Sequence, residues 1–363
     1  MKKYFHAFNL INGKIGPQRF TRLLQYFKND LSIAWSSSDQ ELTNAGIERK
    51  IIQIINQFRS KIDPDIEYKK LIKQGVSVLT ILDQNYPSLL KEISNSPPIL
   101  YVRGEIKTED NFALAIVGSR HCSPYGRSVV QTLVRQLVQN NLTIISGLAY
   151  GIDTLAHQIA IENSGRTIAV LGSGIADQDI RQIDHQIVKK IINGQGAIIS
   201  EYPPGSPPLS YHFPYRNRII SGLSQGVLVI EAAQKSGSLI TANLAIEQNR
   251  EVFAIPGSIF SPNSEGTNYL IKNSSAKLIE NVNDILNELN ISNIPQKIYA
   301  RQKIKISSNE EQVLSVITAE PIHLDEIIIK SKMGSDQVLA LLTILELKGI
   351  IKNIEDDLYI KQK

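Results

Sequence analysis

The sequence has very little cysteine: Cys122 is the only one in 363 residues. A single cysteine excludes an intrachain disulfide framework and any zinc site built on paired cysteines. The chain also lacks a run of about 20 apolar residues, which a membrane-spanning helix needs. Its first residues, MKKYFH, are not followed by the apolar core of a cleaved signal. We therefore expect a cytoplasmic protein that folds without disulfides or structural zinc.

The chain also has no large excess of basic or acidic residues. The net charge is only +4, residues 111–295 contain 13 Lys and Arg against 13 Asp and Glu, and residues 296–363 contain 10 of each. No part of the chain is a basic block. If the protein binds nucleic acid, it must use a focused basic patch on a neutral scaffold.

The middle of the chain has six short apolar runs, each followed by a turn that contains glycine, serine or alanine. The runs are 114–117, 142–145, 168–171, 197–199, 227–230 and 252–255. Short β-branched runs that alternate with helical stretches are typical of buried parallel strands. In open α/β sheets, ligands bind beyond the carboxyl ends of the strands, where the strand order reverses. We expect the functional surface at that edge.

The periodicity along the chain predicts five segments. They are a helical domain at 1–62, a connector at 63–110, a mostly parallel α/β sheet domain at 111–290, a linker at 291–307 and a winged helix at 308–363. In the first segment, NGKIG at 12–16 resembles the hairpin of a helix-hairpin-helix unit, whose backbone amides can contact DNA phosphates. A helical packing module without DNA contact is the alternative, and a lone match of this kind favours it.

The predicted winged helix has an unusual third helix. Residues 335–347 contain neither Arg nor Lys, whereas a helix that reads the major groove needs side chains that reach phosphates and base edges. Lys348, Lys352 and Lys361, near the predicted wing, could add a weak backbone contact. We expect this domain to bind a protein or to cover part of its own chain.

A candidate phosphate site follows the first predicted strand of the sheet. Gly118, Ser119 and Arg120 lie at its tip, and Ser123 with Pro124 predicts a helix start. A helix N-terminus beside an arginine favours phosphate binding. The alternative is that Gly118 and Ser119 only permit a tight turn. Neither G-x-G-x-x-G nor a Walker loop is present.

A second cluster, HFPYRNRIISG at 212–222, combines aromatic and basic residues. Phe213 would stack a base, while Arg216 and Arg218 with Asn217 would contact phosphates, as in single-strand binding proteins. The alternative is that Phe213 and Tyr215 only anchor a loop.

The third cluster is KSGSLIT at 235–241. Lys235 would contact phosphate, Gly237 and Ser238 would offer backbone or hydroxyl donors, and Ser238 is expected to cap a helix whose amides face the same edge.

Catalysis has no comparable support. Asp153 most simply caps a helix, and neither Glu201 nor Glu231 has a histidine or metal-ligand partner at a suitable spacing. The histidines at 121, 157, 185 and 212 form no zinc pattern. We expect no catalytic residues, no metal and no cofactor.

These motifs also resemble a known family. IVGSR (116–120), SPYG (123–126), SGLA with GID (146–153), FP with RNRIISG (213–222), SGSLITA (236–242) and FAIPGS (253–258) are closely similar to the DprA (Smf) family. The resemblance implies an extended Rossmann fold that binds single-stranded DNA, loads RecA onto it and serves recombination during natural transformation of competent cells. It also implies a homodimer through that domain, a SAM-like helical N-terminal domain and a C-terminal winged helix.

Two departures from the family pattern stand out. Tyr150 occupies a position where the family usually has arginine, and the loop at 176–183 lacks the usual Tyr-Pro and Asn. The alternative function is a Rossmann-like nucleotide-processing enzyme resembling nucleoside monophosphate phosphoribohydrolases. Its P-G-G-x-G-T loop is missing, because Pro203-Pro204-Gly205 is not followed by Gly-Thr.

Overall fold

A computed structural model describes residues 1–11, 13–180, 185–290, 307–318, 321–347, 350–354 and 357–361, with the backbone alone at 347, 352 and 361. The predicted linker up to residue 306, Asn12 of the hairpin, Arg181–Ile183 of the altered loop and Lys348 lie outside the described residues. The chain forms two compact units, Met1–Lys297 and Ile298–Lys363.

The first unit begins with a run of helices, as the sequence predicts. These are α1 (Lys2–Asn9), α2 (Pro17–Tyr26), α3 (Leu31–Ser36), α4 (Asp39–Asn44), α5 (Arg49–Arg59) and α6 (Pro64–Lys73). Local signals set several of their starts: Pro17 occupies the first turn of α2, Ser38 and Glu41 form a capping box at α4, and Asp63 caps α6.

These helices share one hydrophobic core with a face of the sheet. Lys2 Nζ donates to the carbonyl of Val78, and Asn9 Nδ2 donates to the carbonyl of Glu201. The boundary predicted at residue 62 therefore does not separate two cores.

A nine-stranded sheet forms the centre of the first unit. Its strands are β1 (Ser77–Thr80), β2 (Ile99–Gly104), β3 (Ala113–Val117), β4 (Thr143–Ser146), β5 (Thr167–Val170), β6 (Gly196–Ser200), β7 (Gly226–Val229), β8 (Glu251–Ala254) and β9 (Lys277–Leu278). The order is β1-β2-β6-β5-β4-β3-β7-β8-β9. Strands β3 to β9 are parallel, so the mostly parallel α/β sheet expected from the apolar runs is confirmed.

The sheet begins earlier than the predicted boundary at residue 111. Strand β2 pairs antiparallel with β6, and β1 pairs antiparallel with β2. The connector is therefore an edge of the sheet. Its apolar run 99–102 is buried on both sides, between the N-terminal helices and the sheet domain.

Helices cover both faces of the parallel strands. They are α7 (Ser88–Glu92), α8 (Pro124–Gln139), α9 (Ile152–Glu162), α10 (His185–Lys190), α11 (His212–Gly222), α12 (Gly237–Glu247), α13 (Glu265–Lys272) and α14 (Val282–Glu288). Within β3, Leu114 and Ile116 pack with α8 and α9, whereas Ala115 and Val117 pack with α11 and α12. This alternation follows from the two-residue period of a strand.

The sheet reverses its order between β3 and β7. From β3 the chain adds β4, β5 and β6 on one side, and it then returns to add β7, β8 and β9 on the other. Loops that leave β3 and β7 therefore diverge at their carboxyl ends and open a crevice there.

The second unit has a winged-helix layout. It contains α15 (Ser308–Leu314), α16 (Leu324–Ser331) and α17 (Ser335–Leu347), with β10 (Ile322–His323), β11 (Ile351–Asn353) and β12 (Leu358–Lys361). The predicted β-pair gains a third strand, because β10 also pairs with β12. Over the described part of the chain, no helix is both long enough and apolar enough to cross a membrane.

Candidate nucleic-acid interface

A cleft of about 450 Å³ lies at the reversal point of the sheet. Its walls come from the loops after β3 and β4, the first turns of α11, and the first turn of α12. Seven of the ten predicted contact residues line it, drawn from three segments between residues 118 and 238 of the chain: Gly118, Arg120, Phe213, Arg216, Asn217, Gly237 and Ser238.

Arg120 is the exposed cation of this cleft. The arginine ion pairs of the described residues involve Arg19, Arg22, Arg103, Arg166, Arg218 and Arg250, and Arg120 is not among them. Its turn is tightly built, since a Cβ on Gly118 would stand 2.8 Å from Ile152 Cγ1. A solvated guanidinium without an internal carboxylate can bind an external anion.

Arg216 lies in the floor of the cleft and is 5% exposed. Its Nη1 donates to the carbonyl of Gly147 at 2.9 Å and also to that of Val170. The pKa of Arg216 is lowered to about 10, chiefly by burial; the nearby charge of Arg120 acts in the same direction, and Asp153 opposes both. The group is therefore charged at neutral pH, and it contributes positive potential with its Nη1 already bonded to the protein.

Asp153 is not a helix cap, contrary to the sequence prediction. Gly151, at φ 85°, occupies the N-cap position of α9, and Asp153 Oδ2 accepts from the backbone N–H of Gly147 at 3.1 Å. A Cβ on Gly147 would stand 2.6 Å from Arg216 Nη2 and 2.9 Å from Asp153 Oδ2. The glycine therefore lets a backbone segment pass beside both charged groups.

The N-terminus of α12 opens onto the cleft. Ser236, not the predicted Ser238, is its cap: Ser236 Oγ accepts from the Ser238 N–H at 3.3 Å and lies 2.7 Å from Ser238 Oγ. Gly237 is exposed, and Asn217 Nδ2 donates to its carbonyl at 3.5 Å. The partial positive charge of a helix N-terminus thus adds to that of Arg120.

Phe213 provides the aromatic surface of the cleft. It lies in the first turn of α11, half-buried, and a Cβ on Gly172 would stand 2.9 Å from its Cδ1. The absence of a side chain at Gly172 therefore lets the ring lie against the backbone after β5, while the ring still lines the cleft.

Arg218 does not face the cleft. Its side chain is 6% exposed, and it is paired with Glu201, whose side chain is 10% exposed. Its guanidinium also lies 4.1 Å from the ring centroid of Tyr215. The predicted phosphate contact is therefore replaced by a buried ion pair, because burial of two opposite charges is tolerated only when they pair.

The N-terminus of α8, which begins after Ser123, is likewise not open to an external anion. Glu231, 2% exposed, accepts from the Ser123 N–H at 2.9 Å and from the Ser123 hydroxyl, and a Cβ on Gly126 would stand 2.4 Å from its Oε2. An internal carboxylate thus occupies the helix N-terminus that the sequence predicted for phosphate. In the sequence, this contact is indicated only by an acidic residue directly after a strand and by a glycine, Gly126, whose lack of a side chain leaves room for the carboxylate.

The two remaining predicted residues lie outside the cleft lining. Ser119 is part of the turn, where its Oγ accepts from the His121 N–H at 3.1 Å and its carbonyl accepts from the Ile152 N–H at 3.2 Å. Lys235 is exposed in the loop before α12. Tyr150, in the arginine position of the family pattern, is 77% exposed.

Two histidines of the sheet domain, His157 and His212, make hydrogen bonds within the protein. His157 Nδ1 bonds Thr167 Oγ1 at 2.6 Å, and His212 Nδ1 donates to the carbonyl of Gly172 at 3.1 Å. Within the described ranges, no group of three His, Cys, Asp or Glu side chains is arranged to hold a metal.

Comparison with known proteins gives concordant matches. The family model for DNA recombination-mediator protein A matches residues 77–290, and the model for a DprA winged helix domain matches residues 300–355. The DNA processing protein DprA of Bacillus subtilis is 37% identical over 78% of this chain and 94% of its own length. The Smf protein of Synechocystis is 34% identical over 96% of both.

Two solved structures are similar to the chain. The X-ray structure of DNA processing protein A from Streptococcus pneumoniae aligns with a TM-score of 0.68 at 36% identity, covering 79% of this chain and 98% of that one. A structure of the same protein from Helicobacter pylori, which concerns its single-stranded DNA binding mode, aligns with a TM-score of 0.51 at 30% identity, covering 59% and 95%.

Proposed function

The chain belongs to the DprA family of DNA recombination-mediator proteins, and on that premise we propose that it binds single-stranded DNA in the cleft and delivers the strand to RecA. The observation that supports this most is the convergence of Arg120, Arg216 and the N-terminus of α12 beside Phe213. It places two guanidinium groups, helix amides and an aromatic ring around one space.

The cleft suits one strand better than a duplex. Phe213 is half-buried in a recess of about 450 Å³, so only an unpaired base can reach it. Stacking on an aromatic side chain contributes about 1–3 kcal/mol per base. We assign the phosphate contacts to Arg120 and the first turn of α12, the stacking to Phe213, and a fixed positive floor to Arg216.

The test of this assignment is Arg120→Ala, with Arg49→Ala as a control of equal charge. Arg49 is exposed on α5, away from the cleft. A charge-assisted hydrogen bond contributes about 1.5–3 kcal/mol, so Arg120→Ala should weaken binding of an oligothymidylate about 10- to 150-fold. The log–log salt slope should also fall by about 0.7 for the lost phosphate contact. Equal effects of the two variants, or equal affinity of the wild type for duplex, would overturn the assignment.

We further propose that RecA is the partner in the cytoplasm, as the family resemblance implies for strands taken up in natural transformation. The assay is RecA filament growth on single strands already coated by a single-strand binding protein. The wild type should shorten the lag, and Arg120→Ala should not. If the wild type leaves the lag unchanged, the remaining role would be protection of single-stranded DNA.

A second copy of the chain is the proposed partner of an apolar surface on the sheet domain. Ile259 is 81% exposed, Phe260 is 90% exposed and Tyr269 is 60% exposed. The Asn268 side chain accepts from the Gly257 N–H and donates to the Gly257 carbonyl, which holds this loop against α13. Phe260→Asp should convert a dimer to a monomer in sedimentation, whereas Lys272→Asp, at the exposed end of α13, should not. A monomeric wild type would refute the pairing.

We propose a binding role rather than a catalytic one. Glu231, a buried acidic residue beside the loop after β3, has one oxygen bonded to the Ser123 N–H and the other to the Ser123 hydroxyl. Incubation with nucleoside monophosphates should release no free base. Base release by the wild type that disappears in Glu231→Gln would favour the phosphoribohydrolase-like alternative.

A further inference from the structure

A second depression lies on the other side of the first turn of α11. This groove has a volume of about 910 Å³, larger than the cleft. One wall is the hairpin between α1 and α2, residues 13–17, and the other is the segment 201–212 with Tyr215. The groove is thus built jointly by the N-terminal helices and the sheet domain, which belong to one compact unit.

The sheet-side wall is aromatic and firmly held. Tyr202 stacks on His212 with ring centroids 3.9 Å apart, and Tyr211 meets His212 edge-on at 4.7 Å. His212 is itself fixed by its bond to the carbonyl of Gly172. Tyr211 is 66% exposed, so its ring is positioned by the protein and still open to a ligand.

The groove has little free charge. Glu201 lines it but is paired with Arg218, and Lys14 on the hairpin is an exposed cation of the opposite wall. A ligand of this groove would be bound mainly through flat apolar surface, with one anionic group near Lys14. Nucleotides have both features.

The groove and the cleft lie on either side of one segment, residues 209–215. Ser210, Phe213 and Pro214 line the cleft, whereas their neighbours Leu209, Tyr211 and Tyr215 line the groove. A strand that crosses the first turn of α11 from the cleft would therefore meet the groove. We propose that the groove is a second single-strand subsite, in which a base stacks on Tyr211 and a phosphate contacts Lys14. This rests on the proposed function of the cleft.

A proline-rich peptide is the competing occupant. Pro17, Pro98, Pro203, Pro204 and Pro207 line the groove, and aromatic-walled grooves bind such peptides. The neighbouring cationic cleft and the lysine on the far wall favour the strand, because an extended peptide needs neither.

The test compares two oligothymidylates on the full-length protein. Lengths of about 4 and about 16 nucleotides span the usual range of single-strand site sizes. Tyr211→Ala should weaken binding of the longer strand about 5- to 150-fold, the range expected for loss of one stacked base, and should leave the shorter strand and the salt slope unchanged. Tyr211→Phe keeps the ring and should bind as the wild type does. Lys14→Ala should lower the salt slope for the longer strand by about 0.7.

The outcomes separate the two proposals. Loss of affinity for both lengths in Arg120→Ala, with no length-dependent loss in Tyr211→Ala, would overturn the groove and leave the cleft intact. Binding of a proline-rich peptide that Tyr211→Ala abolishes, while DNA affinity is unchanged, would assign the groove to a peptide. Failure of the wild type to bind either strand would overturn both. Because Tyr211 is mostly exposed, its substitution should not affect folding, which circular dichroism would check.

Discussion

The buried pairing of Arg218 with Glu201 predicts that removal of this arginine lowers the stability of the protein and not its affinity for DNA. Arg218→Met removes a guanidinium whose side chain is 6% exposed and leaves the carboxylate of Glu201, 10% exposed, without a counter-charge. Methionine preserves much of the apolar volume beside Tyr215. The variant should therefore lose stability first, and DNA binding only as a consequence of unfolding.

The magnitude follows from the burial of both partners. Removal of one member of a buried ion pair costs about 3–5 kcal/mol. Burial already raises the pKa of Glu201, and the positive charge of Arg218 opposes that rise. Without Arg218 the pKa of Glu201 rises further, so the carboxyl takes up a proton in the folded state as the pH falls. The variant should therefore be closer to the wild type at pH 5 than at pH 8.

Urea unfolding followed by tryptophan fluorescence is a suitable assay. Trp35 is the single tryptophan, and it packs on Phe8 at a ring distance of 5.0 Å in the core shared with the sheet. The double variant Arg218→Met with Glu201→Leu removes both charges and should recover most of the lost stability.

DNA affinity, measured well below the urea midpoint, should change in Arg218→Met by less than about tenfold, or 1.4 kcal/mol. Unchanged stability together with lost DNA binding would mean that Arg218 contacts phosphate.

Three further predictions follow from other parts of the structure. Burial lowers the pKa of His6 to about 4 and of His157 to about 3, so the unfolded chain takes up protons below pH 6.5 before the folded one does. The free energy of unfolding should therefore fall by about 2 kcal/mol per histidine from pH 7 to pH 5. The variant His6→Asn should remove one of these two contributions. Gly147→Ala would place a Cβ 2.6 Å from Arg216 Nη2 and should cost about 1–3 kcal/mol; a melting temperature equal to that of the wild type would contradict the close approach. Removal of residues 296–363 should change single-strand affinity by less than about tenfold, and loss of most binding in a folded dimer would show that the winged helix is a DNA-binding domain.

Local patterns predicted the fold well. Each of the six apolar runs is a strand, and residues 335–347 form the helix expected there, because strand and helix periodicities depend on neighbours only a few residues away. The position of the cleft was also accessible, since parallel strands place all their carboxyl ends at one edge.

The roles of individual charged residues were less accessible. Arg216 and Arg218 are equivalent in the sequence, yet one lines the cleft and the other is paired with Glu201. The helix start at Ser123 has every local feature of an anion site, but Glu231, 108 residues later, occupies it. Both differences depend on long-range contacts that no local pattern encodes.

Local sequence patterns predict the order of strands and helices, the small residues after each strand, and the charged and aromatic residues available at the sheet edge. Which of those charges remain open to a ligand depends on the tertiary fold. A buried charge must find a partner or lose its ionisation, and the partners of Ser123 and Arg218 became neighbours only when the strands assembled. The same assembly brought the hairpin after α1 against the segment after β6 and so created the groove, which is a property of neither segment alone.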